Sequence, residues 1–222
     1  MIGAWEFCVA TVMRTEGVAA AYDRWAPVYD LVFGNVFKSG RQQAIEAAEA
    51  VGGHVLEVGV GTGISLPLYD RRLKLTGIDI ADAMLDKARD RVRELGLDNV
   101  EEIAVMDAEN LRYEANSFDS VVAQYVVTAV PNPEAALNEF VRVLKPGGEI
   151  IICTRIGATK GLRGAIEKTL MPITSKLGWR TEFPMSRYEA WARAHPLVTE
   201  IEVRPLKPLG HFALLRYGKR PG

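Results

Sequence analysis

Cysteine and histidine are scarce in this chain of 222 residues. The two cysteines, Cys8 and Cys153, make neither a disulfide framework nor a CxxC pair. The three histidines, His54, His195 and His211, are scattered, so no metal cluster is expected and the metal set is none. No run approaches 18 consecutive apolar residues, which excludes a helix crossing a membrane. Internal repeats, low-complexity tracts and polar linkers are missing too. With 48% hydrophobic and 25% charged residues, the chain is neither disordered nor fibrous. The apolar opening, MIGAWEFCVATVM, lacks the basic flank of a secretory signal, and its one charge is Glu6. Residues 1–12 read as an extension upstream of Met13. The expectation is a soluble protein of a reducing compartment, folded as a single domain over 1–222.

A strong net charge is also lacking, but the value of −1 conceals a split. Residues 1–154 carry a net of −9 and residues 155–222 a net of +8. Either the C-terminal third meets an anionic partner or the two parts attract each other.

What is present is an alternation of two periods. Apolar residues at 18, 21, 22, 25, 28, 29, 32 and 33 keep helical spacing, interrupted by Pro27. Two short helices are predicted there, then helices at about 40–50, 81–96 and 131–144. Strands are predicted at 54–58, 73–79, 100–107, 118–126 and 149–155. Strands alternating with helices of this length form a parallel sheet covered on both faces. The segments 199–206 and 211–217, joined by KPLG, close the chain as an antiparallel pair.

The densest chemistry is Glu57-Val58-Gly59-Val60-Gly61-Thr62-Gly63 after the first strand. Glycines there let a ligand approach the backbone, and the loop is expected to open a helix. Asp79 ends the second strand, where a carboxylate can accept the hydroxyls of a ribose. The spacing G-x-G-x-G departs from the dinucleotide pattern G-x-G-x-x-G. Glu57 beside the loop repels a phosphate and suits a cationic ligand with an amino group, such as S-adenosylmethionine (SAM). The bland alternative is a tight turn with no ligand.

EVGVGTG, TGIDIADAML, MDAENL, FDSVVA and RVLKPGGEI resemble, in order and spacing, the motifs of class I SAM-dependent methyltransferases. That resemblance covers 54–155 and, more loosely, the C-terminal hairpin. It implies an α/β fold, Rossmann-like, with a seven-stranded mostly parallel sheet, a C-terminal antiparallel hairpin, helices on both faces and an N-terminal helical lid (1–40). It implies SAM as cofactor and S-adenosyl-L-homocysteine (SAH) as product. Glu57, Gly59, Gly61, Thr62 and Gly63 would then pack on the methionine part, and Asp79 would bind the ribose. Ile80 and Met84 would flank the adenine, with Met106, Asp107 and Ala108 at its edge. Gln124 and Tyr125 would face the methionine and the substrate.

The segment AAAYDRWAPVYDLVFGNVFKSGRQQAIEA is similar to the start of small bacterial phosphatidylethanolamine N-methyltransferases, themselves similar to the ubiquinone/menaquinone C-methyltransferases. That resemblance implies successive methylation of a phospholipid amine toward phosphatidylcholine. Tyr22, Trp25 and Tyr29 share a helical face apart from the break at Pro27. Core packing is the ordinary fate of such a stripe, for Trp25 and Trp5 above all. A buried tyrosine needs a partner for its hydroxyl, and the SAM carboxylate or a lipid phosphate would serve Tyr22 and Tyr29. His195 and these two tyrosines are the candidates for a base, while His54 reads as a structural surface residue.

Residues 156–195 fall where a substrate-side insertion is expected. Over 155–193 eight basic and three acidic residues interleave with Leu162, Ile166, Leu170, Met171, Ile173, Leu177 and Trp179. That mixture suits a helix lying on an anionic membrane, or else a solvated lid. Nucleic acid is disfavoured, because the neighbours are apolar and the whole chain is not basic. Arg155, Lys160 and Arg187 are candidates for a phosphate contact. The expected location is cytoplasmic, peripheral to the inner face of the membrane, with no obligate protein partner. The rival reading is a quinone-ring or other small-molecule methyltransferase.

Overall fold

The computed structural model describes residues 37–155, 184–206 and 212–221. Its elements are α1 (Lys38–Val51), β1 (His54–Val58), β2 (Lys74–Asp79), α2 (Asp82–Glu94), β3 (Val100–Val105), β4 (Phe118–Gln124), α3 (Pro133–Val143), β5 (Leu144–Arg155), α4 (Met185–Ala194), β6 (Val198–Leu206) and β7 (Phe212–Lys219). The seven strands form one sheet in the order β3-β2-β1-β4-β5-β7-β6. The first five are parallel, and β7 pairs antiparallel with both β5 and β6. The expected architecture is present, and the N-terminal lid lies outside the described residues except for 37–40.

The strand alternation explains the two cores. Side chains one residue apart point to opposite faces. In β1, Val55 joins one cluster while Leu56 and Val58 join the other. Helix α1 covers the first face with Ala44, Ile45, Ala47 and Ala48, and α2 adds Leu85. Helix α3 covers the second with Ala136, Leu137, Phe140 and Val141. A fully buried leucine or phenylalanine contributes on the order of 1.5–3 kcal/mol, so Leu56, Leu137 and Phe140, all at 0% exposure, anchor the layers.

Three local expectations need correction. The glycine loop after β1 leads into a three-residue 3-10 turn, Leu66–Leu68, and not into a helix. Gly63, at φ +72°, lies in the left-handed region, so the loop itself does not run on into a right-handed helix. Strand β5 starts at Leu144, five residues before the predicted start, because 144 already pairs with Phe118 across a register shift. Met185–Ala194, within the predicted insertion, forms α4, whose Tyr188 and Trp191 belong to the second core.

Candidate active site

The carboxyl ends of β1, β2 and β4 and the segments after them surround a cleft of about 1050 Å³, counted to its open mouth. This is the crevice where ligands of open α/β sheets bind. Gly59, Gly61 and Thr62 form one wall, and Asp79, Ile80 and Met84 the next. Met106, Asp107 and Ala108 stand beyond these, and Glu57, Gln124 and Tyr125 face them. All twelve are residues singled out from the sequence.

The loop is held in shape by its own hydrogen bonds. Gly59 and Val60 both donate to the Ile78 carbonyl, at 2.8 and 3.0 Å. Gly59 has φ +72°, and a Cβ there would come within 2.7 Å of Val126. Gly61 has φ +55°, with open space where its Cβ would stand. Its N–H donates to Asp79 Oδ2 at 2.9 Å, and Ala81 N–H donates to Asp79 Oδ1 at 3.0 Å. From α2, Arg91 reaches the carbonyl of Thr62, whose side chain is buried. Asp107 accepts from Glu109 N–H at 2.9 Å, which fixes its turn.

Glu57 is unusual. It is 4% exposed and accepts from Ser65 Oγ at 2.5 Å and Gln124 Nε2 at 3.1 Å, both on Oε1. Oε2 and the nearby Tyr69 hydroxyl are buried with no hydrogen-bond partner. Burial pushes the Glu57 carboxyl up to about 7, against the pull of Ser65, Tyr69 and Arg41. A buried acceptor left open in a cleft is a place for a ligand donor.

Tyr125 carries the other irregularity. Its φ is +61°, a strained conformation for a bulky L-residue, costing on the order of 1–3 kcal/mol. Its ring stacks on Phe37 at 4.0 Å and meets Phe212 edge-on at 5.5 Å. A Cβ on Gly40 would come within 2.1 Å of the Tyr125 hydroxyl, so the α1 backbone lies directly against it. Burial raises the Tyr125 hydroxyl above the ordinary tyrosine range, keeping it protonated.

A methyltransferase domain model matches residues 56–152. A phosphatidylethanolamine N-methyltransferase of Cereibacter sphaeroides is 42% identical over 208 residues, 94% of this chain and 100% of the relative. The chain belongs to the class I SAM-dependent methyltransferases. A ubiquinone/menaquinone biosynthesis C-methyltransferase of Pseudomonas fluorescens is 32% identical, covering 73% of this methyltransferase and 66% of the relative. The solved cyclase SpnF, at 20% identity, shares the fold with a TM-score of 0.77, covering 94% of this chain and 97% of its own.

The residues of the methyltransferase cleft fit SAM. The open Glu57 oxygen suits a cation with an amino group, Asp79 offers acceptors for a ribose, and Met84 and Met106 give apolar walls for a base. The cofactor of this methyltransferase is SAM.

Other expected site residues do not join the cleft. His195 follows α4 at the far end of the sheet, beside Lys219, where Val198 begins β6. Glu149 at the start of the parallel part of β5 is opposite Gly218, so this is the amino end of the strands. The base role expected of His195 is therefore excluded by distance along the strands. Arg187 makes a two-pronged pair with Glu134 on α3, at 2.8 and 2.6 Å, and does not line the cleft. Arg155 ends β5, also outside the lining. Gly63 turns the loop without lining it. Tyr22, Tyr29 and Lys160 lie outside the described residues.

Phe37, Arg41 and Ser65 line the cleft and were not expected from sequence. Arg41 had a readable signal: it shares the helical stripe of Ala44, Ile45 and Ala48, where a charge is out of place, and it is 8% exposed. Ser65 and Tyr69 sit in a connection whose path the sequence does not reveal.

Proposed function

We propose that this methyltransferase acts on the primary amine of phosphatidylethanolamine, successively toward phosphatidylcholine, at the surface of an anionic membrane. The observation that carries the reading is the 42% identity, over the full length of the relative, to a protein named for that activity. The charge split supports the membrane part: residues 155–222 hold a net of +8, and each basic residue near an anionic surface contributes about 1 kcal/mol. No helix among the described residues is long and apolar enough to cross a membrane, in keeping with peripheral attachment at the cytoplasmic face.

Bound SAM supplies a methyl group already activated on a sulfonium. What the chain adds is orientation and dryness. Asp79 holds the ribose hydroxyls while Gly61 and Ala81 hold Asp79. Glu57 and the loop from Gly59 to Gly63 take the methionine part, and Gln124 keeps Glu57 in place. Ile80 and Met84 would flank the adenine, with Met106, Asp107 and Ala108 at its edge. Tyr125, fixed between Phe37 and Phe212, shapes the wall nearest the acceptor. Of the residues outside the described ones, Tyr22 and Lys160 are assigned to the lipid substrate and Tyr29 to the cofactor. The acceptor would react as the neutral amine, its ammonium proton first lost to water, and would take the methyl group with SAH as the leaving group. Orientation alone is worth effective molarities of about 10⁵–10⁸ M, so no dedicated base is required.

Purified protein, labelled SAM and vesicles of phosphatidylethanolamine with anionic lipid test this reading. Label in mono-, di- and trimethylated head groups, with vesicle binding weakened by salt, is the expected result. Label only in a quinone precursor, or in no acceptor, would overturn it.

A further inference from the structure

Between the cleft loop and β2 the chain makes a short connection that is pinned at several points. The 3-10 turn Leu66–Leu68 has Ser65 at its amino end and Tyr69 at its carboxyl end. Leu68 N–H closes the turn on the Ser65 carbonyl at 2.9 Å. Leu66 and Tyr69, 1% and 3% exposed, belong to the core that α1 covers. Asp70 N–H donates to Glu49 Oε1 at 2.9 Å, which ties the exit of the turn to the same helix.

This anchoring sets two hydroxyls at one carboxylate. Ser65, 2% exposed, donates from Oγ to Glu57 Oε1 at 2.5 Å. The Tyr69 hydroxyl stands beside Glu57 and Gln124, buried and with its hydrogen bond not closed, and Glu57 Oε2 is buried and open in the same way. A buried donor and a buried acceptor so placed complete each other with a small side-chain shift. From the end of β4, Gln124 Nε2 donates to Oε1 at 3.1 Å. An ionised carboxylate accepts about four hydrogen bonds. Ser65, Gln124 and Tyr69 account for all but one, which is left for a donor in the cleft that Glu57 lines.

We propose that Ser65 and Tyr69 are positioning residues for the cofactor: acting through Glu57, they fix the place of the ammonium of its methionine part. Tyr69 does not line the cleft and acts only through its neighbours. Ser65 lines it, but its hydroxyl proton is committed to Glu57. A carboxylate already held by several donors loses little side-chain freedom when a ligand arrives, so the turn raises affinity without touching the ammonium itself. SAM and SAH share that ammonium and are held alike. A ligand without an amino-acid part gains nothing from the arrangement. The inference rests on the reading that Glu57 meets the amino group and is independent of the acceptor.

Calorimetric titration of the whole protein with SAM, SAH and methylthioadenosine tests it. Methylthioadenosine keeps the adenine, ribose and sulfur and lacks both the ammonium and the carboxylate. Ser65→Ala and Tyr69→Phe should each raise the Kd of SAM and of SAH about three- to tenfold, by the same factor for both. The Kd of methylthioadenosine should move by less than about twofold, because its contacts with Asp79 and the adenine walls are untouched. In a Glu57→Gln background, Ser65→Ala should add less than about twofold, since residues acting through one group are not additive. An equal loss of methylthioadenosine affinity would mean that the turn only supports the loop, and would overturn the proposal. So would unchanged SAM affinity in both variants, or full additivity with Glu57→Gln. If Glu57→Gln alone leaves the preference for SAH over methylthioadenosine unchanged, the reading of Glu57 falls and the proposal with it. If that preference drops in Glu57→Gln and in neither Ser65→Ala nor Tyr69→Phe, the proposal alone falls. Should one variant fail to fold, the other decides.

Discussion

The two ends of the parallel strands are built to opposite rules. At the amino end every described charge that is drawn inward has a partner. Lys219 Nζ donates to Asn116 Oδ1, the Val141 carbonyl and the Leu144 carbonyl, at 2.8, 2.8 and 2.6 Å, closing the last turn of α3. Asp119 takes Lys145 Nζ and the His54 N–H, both at 2.8 Å. At the carboxyl end a carboxylate, Glu57, keeps an open oxygen and bulky Tyr125 a left-handed backbone; the unpartnered buried atoms of the amino end, Ser120 Oγ and the Tyr217 hydroxyl, are neutral, and its left-handed residue is Asn116. Satisfied polar groups stabilise a fold, whereas open acceptors and backbone strain persist where a ligand completes the set. His195 belongs to the first end, which is why its chemistry is not that of the site.

The comparison breaks most visibly at Glu57. Its carboxyl titrates at about 7 when folded against an ordinary 4.5. Between these values the folded protein binds more protons than the unfolded chain, so stability falls as pH rises through the window. The loss amounts to about 3 kcal/mol. Glu57→Gln should lack this fall. Melting curves should show the variant gaining on the parent protein from pH 5 to pH 8, while losing SAM affinity.

Asp79→Ala should weaken SAM binding by about one to two decades, since hydrogen bonds to a charged group are worth roughly 1.5–3 kcal/mol. It also frees Gly61 N–H, so part of the loss comes from the loop itself. Calorimetry beside a melting curve separates the two ends: the Kd should move far more than the melting temperature. Lys219→Met should do the reverse. It strips three acceptors of their donor, costing at least about 1 kcal/mol, and chemical denaturation should detect that with SAM affinity unchanged. Tyr125→Phe is expected to have the smallest effect on stability, within about 0.5 kcal/mol, because stacking on Phe37 and Phe212 survives. Turnover on lipid should fall if the hydroxyl faces the acceptor, and steady-state kinetics per folded molecule will show it.

How far the sequence could be read follows the same division. Period and glycine placement marked β1, β2 and the cleft loop, because buried parallel strands are short apolar runs and Gly59 must adopt a positive φ. Asp79 is readable from its position at a strand end, whereas Met84 enters only through the family resemblance. Contacts set by tertiary folding were not legible. Arg187 looked like a free basic residue until α4 folded beside α3 and brought it to Glu134. His195 could be placed only once β6 had paired with β7. Tyr69 meets Glu57 through a connection with no regular period, so no local pattern announces it.

The claim that one end of the sheet binds and the other end holds is tested most directly by hydrogen exchange of the whole protein with and without SAM. Protection is predicted to concentrate in residues 58–64, 79–84, 106–108 and 124–131, with 116–119, 145–149 and 195–198 little changed. Protection at the amino end equal to that around the cleft would contradict the account.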